Sequence, residues 1–396
     1  MKVSRRTFVK VGVVAGAGLT LGVWRLTRPP GIPATDAAFA PNAYLTIDTD
    51  GSITVLVDRS EMGQGVATSL PQLLAEELDV PWEQVAFEFA PAHAAYGMQV
   101  TGGSTSVPQA WSSMRRAGAS ARWLLREAAA QQWGVSAESL ETRDGAVVGP
   151  DGATLTYGEL AEAAAALEVE IPEDVPLKSA ADFRLIGRSA PRLDIPEKVT
   201  GQAVFGIDAG PAEARIAMVA RPPVFGGRVR SFDASAALAV EGVDEVVEID
   251  SGVAVVARGY VEASRGRDAL DVDWDNGDEP LLDDAAIFAR LTEAARSGGR
   301  VVREDGDVTA AVGDAEPDLQ VEYTLPYLAH ATMEPMNCTA WVRDGVCTVW
   351  APTQFQSTPD VLGMGSKQIA EKASGARDAE LITTYLGGGF GHFYAY

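Results

Sequence analysis

Three glycine-bearing segments of the sequence have the residue types needed to hold a ligand with the backbone. They are Glu61-Met62-Gly63-Gln64-Gly65, Thr101-Gly102-Gly103-Ser104-Thr105-Ser106 and Gly387-Gly388-Gly389-Phe390-Gly391. Glycine lets a backbone approach a ligand closely, and serine, threonine and glutamine side chains donate and accept hydrogen bonds. The three segments therefore predict contact with a polar or charged molecule.

The first two segments each precede a predicted helix. After Gly65, apolar residues recur at helical spacing, and such a helix accommodates Pro71 only in its first turn. After Ser104-Thr105-Ser106, a second amphipathic pattern runs from Trp111 to Ala128. Unpaired N–H groups at a helix start bind anions, so the first segment suits an anion and the second suits phosphate or pyrophosphate. The alternatives are an ordinary strand-to-helix turn and a capped helix with a flexible entry.

The third segment follows a predicted strand, Leu381–Leu386. Phe390, held among four glycines, indicates contact with a planar or metal-bound group. No Lys-Ser/Thr pair ends the segment, which excludes a phosphate-binding loop of the nucleotide-hydrolase type. A bulged turn is the alternative.

Other polar residues give weaker signals. Glu334 and Asn337 could be a general base and an orienting amide, although a carboxylate before proline more often fixes a turn. His330 is expected to be a core or interface histidine. Glu76 and Glu77 are expected to face solvent or to cap neighbouring backbone, without a catalytic role.

The elements that position these residues indicate an α+β chain of several units. Alternating residues about Asp50-Gly51 predict a hairpin over 44–57, and Asp344-Gly345 predicts another in which Cys347 faces Val342. The polar stretch 171–179 is interpreted as a linker. Closely spaced valine-rich strands, around Val246, Val253 and Val272, predict a second α+β unit.

The amino-acid composition excludes several classes of partner and site. The 396 residues suit two or three domains, and the chain has 32 basic against 55 acidic residues. Such acidity repels phosphate backbones, so no nucleic-acid partner is expected. Two cysteines and three histidines also disfavour a disulfide framework or a metal site built from these side chains.

The N-terminus matches a twin-arginine export signal. Arg5-Arg6 stands within Ser4–Lys10, ahead of the apolar stretch Val11–Trp24, which is too short to span a membrane. We therefore expect a periplasmic protein. Cleavage after Ala40 and an uncleaved anchor to the membrane both stay open, and a basic tail beside a buried helix is the alternative.

Taken together and in order, these segments resemble the molybdenum-binding large subunit of the xanthine dehydrogenase and aldehyde oxidase family. More narrowly they resemble its isoquinoline 1-oxidoreductase β-subunit branch. The motifs that carry the resemblance are the signal, Asp58–Val66, Gly102–Ser106, Trp133–Val135, Arg188–Asp194, Lys198–Gly201, His330–Asn337, Thr353-Gln354 and Gly387–Gly391.

The resemblance implies a molybdenum–molybdopterin cytosine dinucleotide cofactor. Gln354 matches a glutamine whose amide binds a ligand oxygen on the metal, and Phe390 matches an aromatic-bearing loop beside it. Neither is expected to ligate molybdenum directly. The remaining cofactor-binding residues implied are Gly63, Gln64, Gly65, Gly103, Ser104, Thr105, Ser106, Gly388, Gly389 and Gly391.

The resemblance also implies molybdopterin-binding segments at 41–175 and 315–396, flanking a hammerhead-like α+β domain at 176–295, with 1–40 as signal and linker. Partners implied are a small subunit with 2Fe–2S clusters, a cytochrome c electron acceptor, and an aromatic N-heterocycle or aldehyde as substrate. Family members continue for about as many residues again, and their general-base glutamate lies in that continuation. We therefore expect no catalytic residue in this chain and no activity from it alone.

Two other classes of function compete. One is an exported, non-catalytic binding or assembly protein, or an inactive fragment, because no complete acid–base constellation is visible. The other is an NAD-dependent dehydrogenase, which is disfavoured because no strand-borne Gly-x-Gly-x-x-Gly with a following acid occurs.

Overall fold

The computed structural model describes residues 39–277, 282–313, 316, 318–319, 321–358 and 365–391. The export signal predicted within residues 1–38 lies outside this part of the chain. Contacts divide the protein into two compact units, one formed by the residues up to Gly210 with those from Ala331, the other by Pro211–His330. In the described residues, no helix has the length and apolar character needed to cross a membrane.

The structure is mixed α+β with several small sheets. Its strands are β1 (Phe39–Asn42), β2 (Leu45–Ile47), β3 (Ile53–Val57), β4 (Val85–Phe89), β5 (Gln99–Val100), β6 (Glu141–Arg143), β7 (Ala146–Val148), β8 (Thr154–Thr156), β9 (Ile216–Ala220), β10 (Arg228–Asp233), β11 (Val243–Ile249), β12 (Gly252–Ala257), β13 (Asp271–Asp275), β14 (Thr339–Arg343), β15 (Val346–Ala351), β16 (Phe355–Ser357) and β17 (Asp378–Thr383). Its α-helices are α1 (Val66–Leu78), α2 (Ser106–Trp133), α3 (Tyr157–Ala166), α4 (Ile195–Thr200), α5 (Ser235–Leu238), α6 (Tyr260–Asp268), α7 (Asp284–Arg296), α8 (Val308–Val312) and α9 (Ser366–Ser374).

The main core of the first unit lies between helices α1 and α2 and a four-stranded sheet in the order β1-β2-β3-β4. The predicted hairpin pairs β2 with β3, and β4 joins β3 in parallel. The apolar residues that predicted helix α1 are its buried face, namely Val66, Leu70, Leu73, Leu74 and Leu78. Burial of this face stabilises the helix more than local propensity does.

Helices α1 and α2 touch through their backbones. A Cβ atom added to Gly118 would overlap the carbonyl oxygen of Leu74. Further along both helices, Arg122 binds the carboxylate of Asp79 at 3.2 Å. The two helices are therefore joined both by close backbone approach and by ion pairing.

Pro71 does not lie where the sequence predicted. Helix α1 begins at Val66, as expected, but Pro71 lies inside it beyond the first turn. The ring removes one backbone hydrogen bond. Pro71 is itself buried, so the apolar contacts of the helix offset that loss.

The two carboxylates Glu76 and Glu77 are buried, so the expectation that they face solvent was wrong. The alternative, that they cap neighbouring backbone, is correct. Glu76 accepts hydrogen bonds from the N–H groups of residues 184–186, and Glu77 accepts one from the N–H of Lys178. The stretch around residue 178, part of which was interpreted as a linker, is therefore fixed to helix α1.

A second sheet of the first unit has the order β14-β15-β17. Its hairpin places Cys347 opposite Val342, as predicted, and both cysteines are free. Strand β17 pairs with β15 in parallel but covers residues 378–383, not 381–386. The chain leaves the sheet at Thr384, and Tyr385 makes an isolated bridge to Phe205 instead.

The second unit contains the sheets β11-β12-β9 and β10-β13. The strands predicted around Val246, Val253 and Val272 are all present. Helix α6 packs on this unit's three-stranded sheet, with Ala263 and Gly266 buried. The sequence-based limits of this domain, 176–295, and its hammerhead-like character stay predictions.

Candidate functional site

Gln354 joins the second and third glycine segments. Its side chain is 3% exposed, and its Nε2 donates to the carbonyl oxygen of Thr101 at 2.8 Å. The same amide accepts, through Oε1, a hydrogen bond of 3.0 Å from the N–H of Gly391. In the structure both polar atoms of this amide tie loops together, and the binding of a ligand oxygen on the metal, which the family resemblance implies, stays a prediction.

The first segment meets the other two at the same place. The N–H of Ser60 donates to Oγ1 of Thr101 at 2.8 Å, and the N–H of Leu386 donates to the carbonyl oxygen of Glu61 at 3.0 Å. A Cβ atom at Gly389 would overlap the sulfur of Met62. The three segments, far apart in sequence, therefore form one junction.

Glu61 occupies the helix start that the sequence predicted to be open. The carboxylate is fully buried, and its Oε1 accepts from the N–H groups of Gly63 at 2.8 Å and Gly65 at 3.0 Å. Its Oε2 accepts from the N–H of Ala67 at 2.9 Å. The expectation that these N–H groups await an anion was wrong, because a carboxylate of the chain already binds them.

Gln64 is also engaged with its own loop. Its Nε2 donates to the carbonyl oxygen of Ser60 at 2.7 Å, and its Oε1 accepts from the N–H of Met62 at 2.7 Å. The turn is thus closed by two side chains of the segment itself, and it is shaped before any ligand binds.

The second segment leaves the start of helix α2 open. Gly103 and Ser104 both have φ near 59°. The Thr105 hydroxyl turns inward to the carbonyl oxygen of Gly102 at 2.8 Å. Among the described residues, no hydrogen bond engages the hydroxyls of Ser104 and Ser106, and no side chain caps the helix. The N–H groups at this helix start can therefore bind an anion, whereas those before helix α1 are already bound by Glu61.

Glu334 anchors the third segment. The carboxylate is 5% exposed, and its Oε2 accepts from the N–H of Gly387 at 2.7 Å. Its Oε1 accepts from the N–H of Ile207 at 2.9 Å and from Nδ2 of Asn337 at 3.0 Å. Because both oxygens are held by N–H donors, the structure supports the turn-fixing interpretation of Glu334 rather than a general base.

Phe390 lies at the outer side of the junction. It has φ of 54°, unusual for a residue with a side chain, and is 67% exposed. Gly388 and Gly391 flank it with φ of 131° and 81°. The turn therefore presents an aromatic ring outward, while its contact with a cofactor stays a prediction.

A charged cluster lies beside the first segment, and it was not predicted, although its residues belong to two motifs of the family resemblance, Arg188–Asp194 and Lys198–Gly201. Arg192 binds Asp194 through two hydrogen bonds, of 2.9 Å from Nε and 2.5 Å from Nη2, and Lys198 binds the same carboxylate at 2.6 Å. Burial acts to raise the pKa of Asp194, but the two cations outweigh it and lower that pKa to about 2. The spacing Arg-x-Asp-x-x-x-Lys, which puts Asp194 and Lys198 one helical turn apart, was the available signal.

Within the described ranges, no group of three or more histidine, cysteine, aspartate or glutamate side chains could hold a metal ion. The side chain of His330 is exposed, so His330 is not a core histidine, and the other expectation, an interface histidine, stays a prediction.

Known protein families and proteins match the chain in sequence. The family described as the molybdopterin cofactor-binding domain matches residues 3–206. The chain is 32% identical over 413 residues to the membrane-bound aldehyde dehydrogenase (pyrroloquinoline-quinone) of Gluconacetobacter polyoxogenes, covering 98% of this chain and 52% of that protein. It is 30% identical to isoquinoline 1-oxidoreductase subunit beta of Brevundimonas diminuta, covering 90% of this chain and 51% of that one.

The chain thus spans about half the length of these curated relatives. Among solved structures, the aldehyde oxidoreductase from Desulfovibrio desulfuricans ATCC 27774 aligns with a TM-score of 0.37 and 17% identity, over 60% of this chain and 31% of that chain.

Proposed function

Because the chain belongs to the molybdopterin cofactor-binding domain family, as its motifs predicted, we propose that it is the N-terminal half of a molybdenum hydroxylase large subunit. The proposed reaction is hydroxylation of an electron-poor carbon in an N-heterocycle or an aldehyde. Water supplies the oxygen, and two electrons leave the substrate. The observation that carries the proposal is the junction of the three glycine segments, in which Gln354 ties the second to the third and Ser60, beside the first, binds Thr101 of the second.

The residues of the junction fit a pterin with a dinucleotide tail. The open start of helix α2, with the hydroxyls of Ser104 and Ser106, suits the pyrophosphate. Gly389 leaves no room for a side chain between Met62 and Gln354, and Phe390 offers an exposed ring at the same turn. When bound, the molybdenum of the cofactor supplies the two-electron oxidation of the substrate carbon.

In this proposal the described part of the chain holds and orients the cofactor. Both junction carboxylates, Glu61 and Glu334, accept hydrogen bonds from backbone N–H groups, and neither has the freedom expected of a general base. We therefore propose that the base comes from polypeptide equivalent to the rest of the relatives' length.

The proposal extends to partners and location. The relative named as a subunit beta supports a multi-subunit enzyme. In the proposed arrangement a small subunit with 2Fe–2S clusters receives the electrons, and a cytochrome c accepts them next. The twin-arginine segment at Ser4–Lys10 supports export of the folded protein to the periplasm.

Cofactor content tests the proposal. The chain is expressed in a host that makes molybdopterin cytosine dinucleotide, purified, and assayed for molybdenum and for CMP released by acid. We expect both in nearly equal amounts with the folded chain. Pyrroloquinoline quinone is assayed in parallel because one relative's name specifies it. A folded chain that contains the quinone, or that contains neither molybdenum nor CMP, would refute the proposal.

A further inference from the structure

The first glycine turn depends on a carboxylate that is itself held by cations. Glu61 accepts the N–H groups of Gly63 and Gly65, and its Oε1 lies 3.3 Å from Nη2 of Arg192 and 3.9 Å from Nζ of Lys198. A buried carboxylate without a cation is costly, because desolvation disfavours its charge. The cations are therefore part of what keeps the turn in shape.

Arg192 also touches the turn directly. Its Nη1 donates to the carbonyl oxygen of Gly63 at 3.1 Å. Gly65 lies close enough that a Cβ atom there would come within 3.8 Å of the guanidinium carbon. One guanidinium thus binds Asp194, Glu61 and the backbone of Gly63 at the same time.

Asp194 fixes the direction of that guanidinium. The carboxylate is fully buried and receives two hydrogen bonds from Arg192 and one from Lys198. Lys198 in turn lies 4.7 Å over the ring of Tyr385, just ahead of the third glycine segment. The cluster therefore joins the backbone of the first turn to the strand exit that leads to the third.

We propose that Arg192 is a positioning residue for the Gly63–Gly65 turn. It orients the Glu61 carboxylate and the Gly63 carbonyl, while Asp194 and Lys198 hold Arg192 in place. The role requires a guanidinium, since three acceptors lie in three directions and a lysine ammonium is a single point charge. The additional inference that this turn contacts the pterin rests on the proposed function.

Hydrogen exchange at single amides tests the positioning role without any cofactor. In Arg192→Ala, we expect the Gly63 and Gly65 amides to exchange about tenfold faster than in the native chain, because Glu61 loses its guanidinium partner. The amide of Leu160, buried in helix α3, is expected to be unchanged. Exchange at Gly63 and Gly65 within twofold of the native rate, or equal acceleration at Leu160, would overturn the proposal.

Chemical rescue separates positioning from general loss of structure. The Arg192 side chain is 33% exposed, so a small cation can reach the space it leaves. Methylguanidinium is expected to restore protection at Gly63 and Gly65 in Arg192→Ala, whereas methylammonium and the substitution Arg192→Lys are not. Rescue by methylammonium to the same extent would show that charge alone suffices, which contradicts the guanidinium requirement.

Matched variants complete the design. Arg188→Ala removes an exposed arginine four residues away and is expected to leave the exchange rates unchanged. Molybdenum content of Arg192→Ala, purified as holoprotein, reports separately on the cofactor. Altered exchange with normal molybdenum content supports the positioning role and counts only against contact between this turn and the pterin.

Discussion

Thr101 and Gln354 bind each other twice. The N–H of Thr101 donates to the backbone carbonyl of Gln354 at 2.8 Å, and the Gln354 side chain returns a hydrogen bond of 2.8 Å to the carbonyl of Thr101. The pair continues the antiparallel pairing of β5 with β16. Because Thr101 is the first residue of the second glycine segment, this pairing fixes where helix α2 begins relative to the third segment.

Removing the Gln354 amide should loosen the junction. Gln354→Leu leaves the Thr101 carbonyl and the Gly391 N–H without their partner, which we expect to lower the free energy of unfolding by about 1–3 kcal/mol. Urea denaturation measures the change. Gln356→Leu is the matched control, since Oε1 of this equally buried glutamine has no partner among the described residues. Equal losses in both variants would contradict the role given to Gln354.

Glu334 should be needed as a carboxylate. Glu334→Gln replaces one acceptor oxygen with an NH2 donor. That donor then faces the N–H of Gly387 or of Ile207, and no hydrogen bond can form between two donors. We expect a loss of about 1–3 kcal/mol in the free energy of unfolding and faster proteolysis in the third segment. The exposed Glu380, replaced in the same way, should show neither effect. A native-like Glu334→Gln variant would rule out the anchoring role.

The decrease in the free energy of unfolding at acidic pH should depend in part on Asp194. Its pKa is lowered from 3.8 to about 2, so its contribution to stability is fully present above pH 3.8 and is lost as pH falls toward 2. The difference in unfolding free energy between the native chain and Asp194→Asn should therefore be constant from neutral pH to about 4 and shrink below it. Denaturation at several pH values measures it, and a difference that grows on acidification would be inconsistent with this assignment.

A negative charge introduced at the open start of helix α2 should stabilise the cofactor-free chain but weaken cofactor binding. Ser106→Asp puts a carboxylate at the first residue of the helix, which should stabilise the cofactor-free chain by about 0.3–1 kcal/mol. The same charge should repel a pyrophosphate and lower the molybdenum and CMP content of the purified protein. Ser112→Asp, exposed further along the helix, should leave that content unchanged. Normal cofactor content in Ser106→Asp would remove this helix start from the proposed site.

The contact between helices α1 and α2 should not tolerate a methyl group. Gly118→Ala raises helix propensity, but its Cβ would overlap the Leu74 carbonyl, and overpacking of this kind costs about 1–3 kcal/mol. Thermal unfolding should show a lower Tm. Ser112→Ala, at an exposed position of the same helix, should raise Tm or leave it unchanged. A more stable Gly118→Ala variant would mean that the helices can separate at no cost.

The sequence predicted the positions of helices and strands better than it predicted the hydrogen-bond partners of their polar groups. The apolar spacing after Gly65 located helix α1, and Asp344-Gly345 located a hairpin with the correct facing pair. These patterns are local, so they can be recognised in a single sequence. Strand β17 was misplaced by three residues because its exit depends on Tyr385, which bridges to distant Phe205.

The polar network could not be predicted in the same way. Glu334 is an ordinary acidic residue in the sequence, and nothing local shows that it binds a glycine 53 residues away. Glu61 binds N–H groups only two to six residues away, but the cation beside it, Arg192, is 131 residues distant in sequence. The sequence therefore identified the segments of the junction but not which of the two helix starts stays open.

The second unit is inserted into the first, between Gly210 and Ala331, and this governs the order in which the site is built during translation. When the first two glycine segments leave the ribosome, Gln354 and the third segment do not yet exist, and the whole of Pro211–His330 must emerge before they do. A nascent chain therefore displays an open helix start early but gains its Gln354 tie late. Cofactor loading that depends on all three segments is therefore confined to chains whose synthesis has passed both the insertion and the third segment.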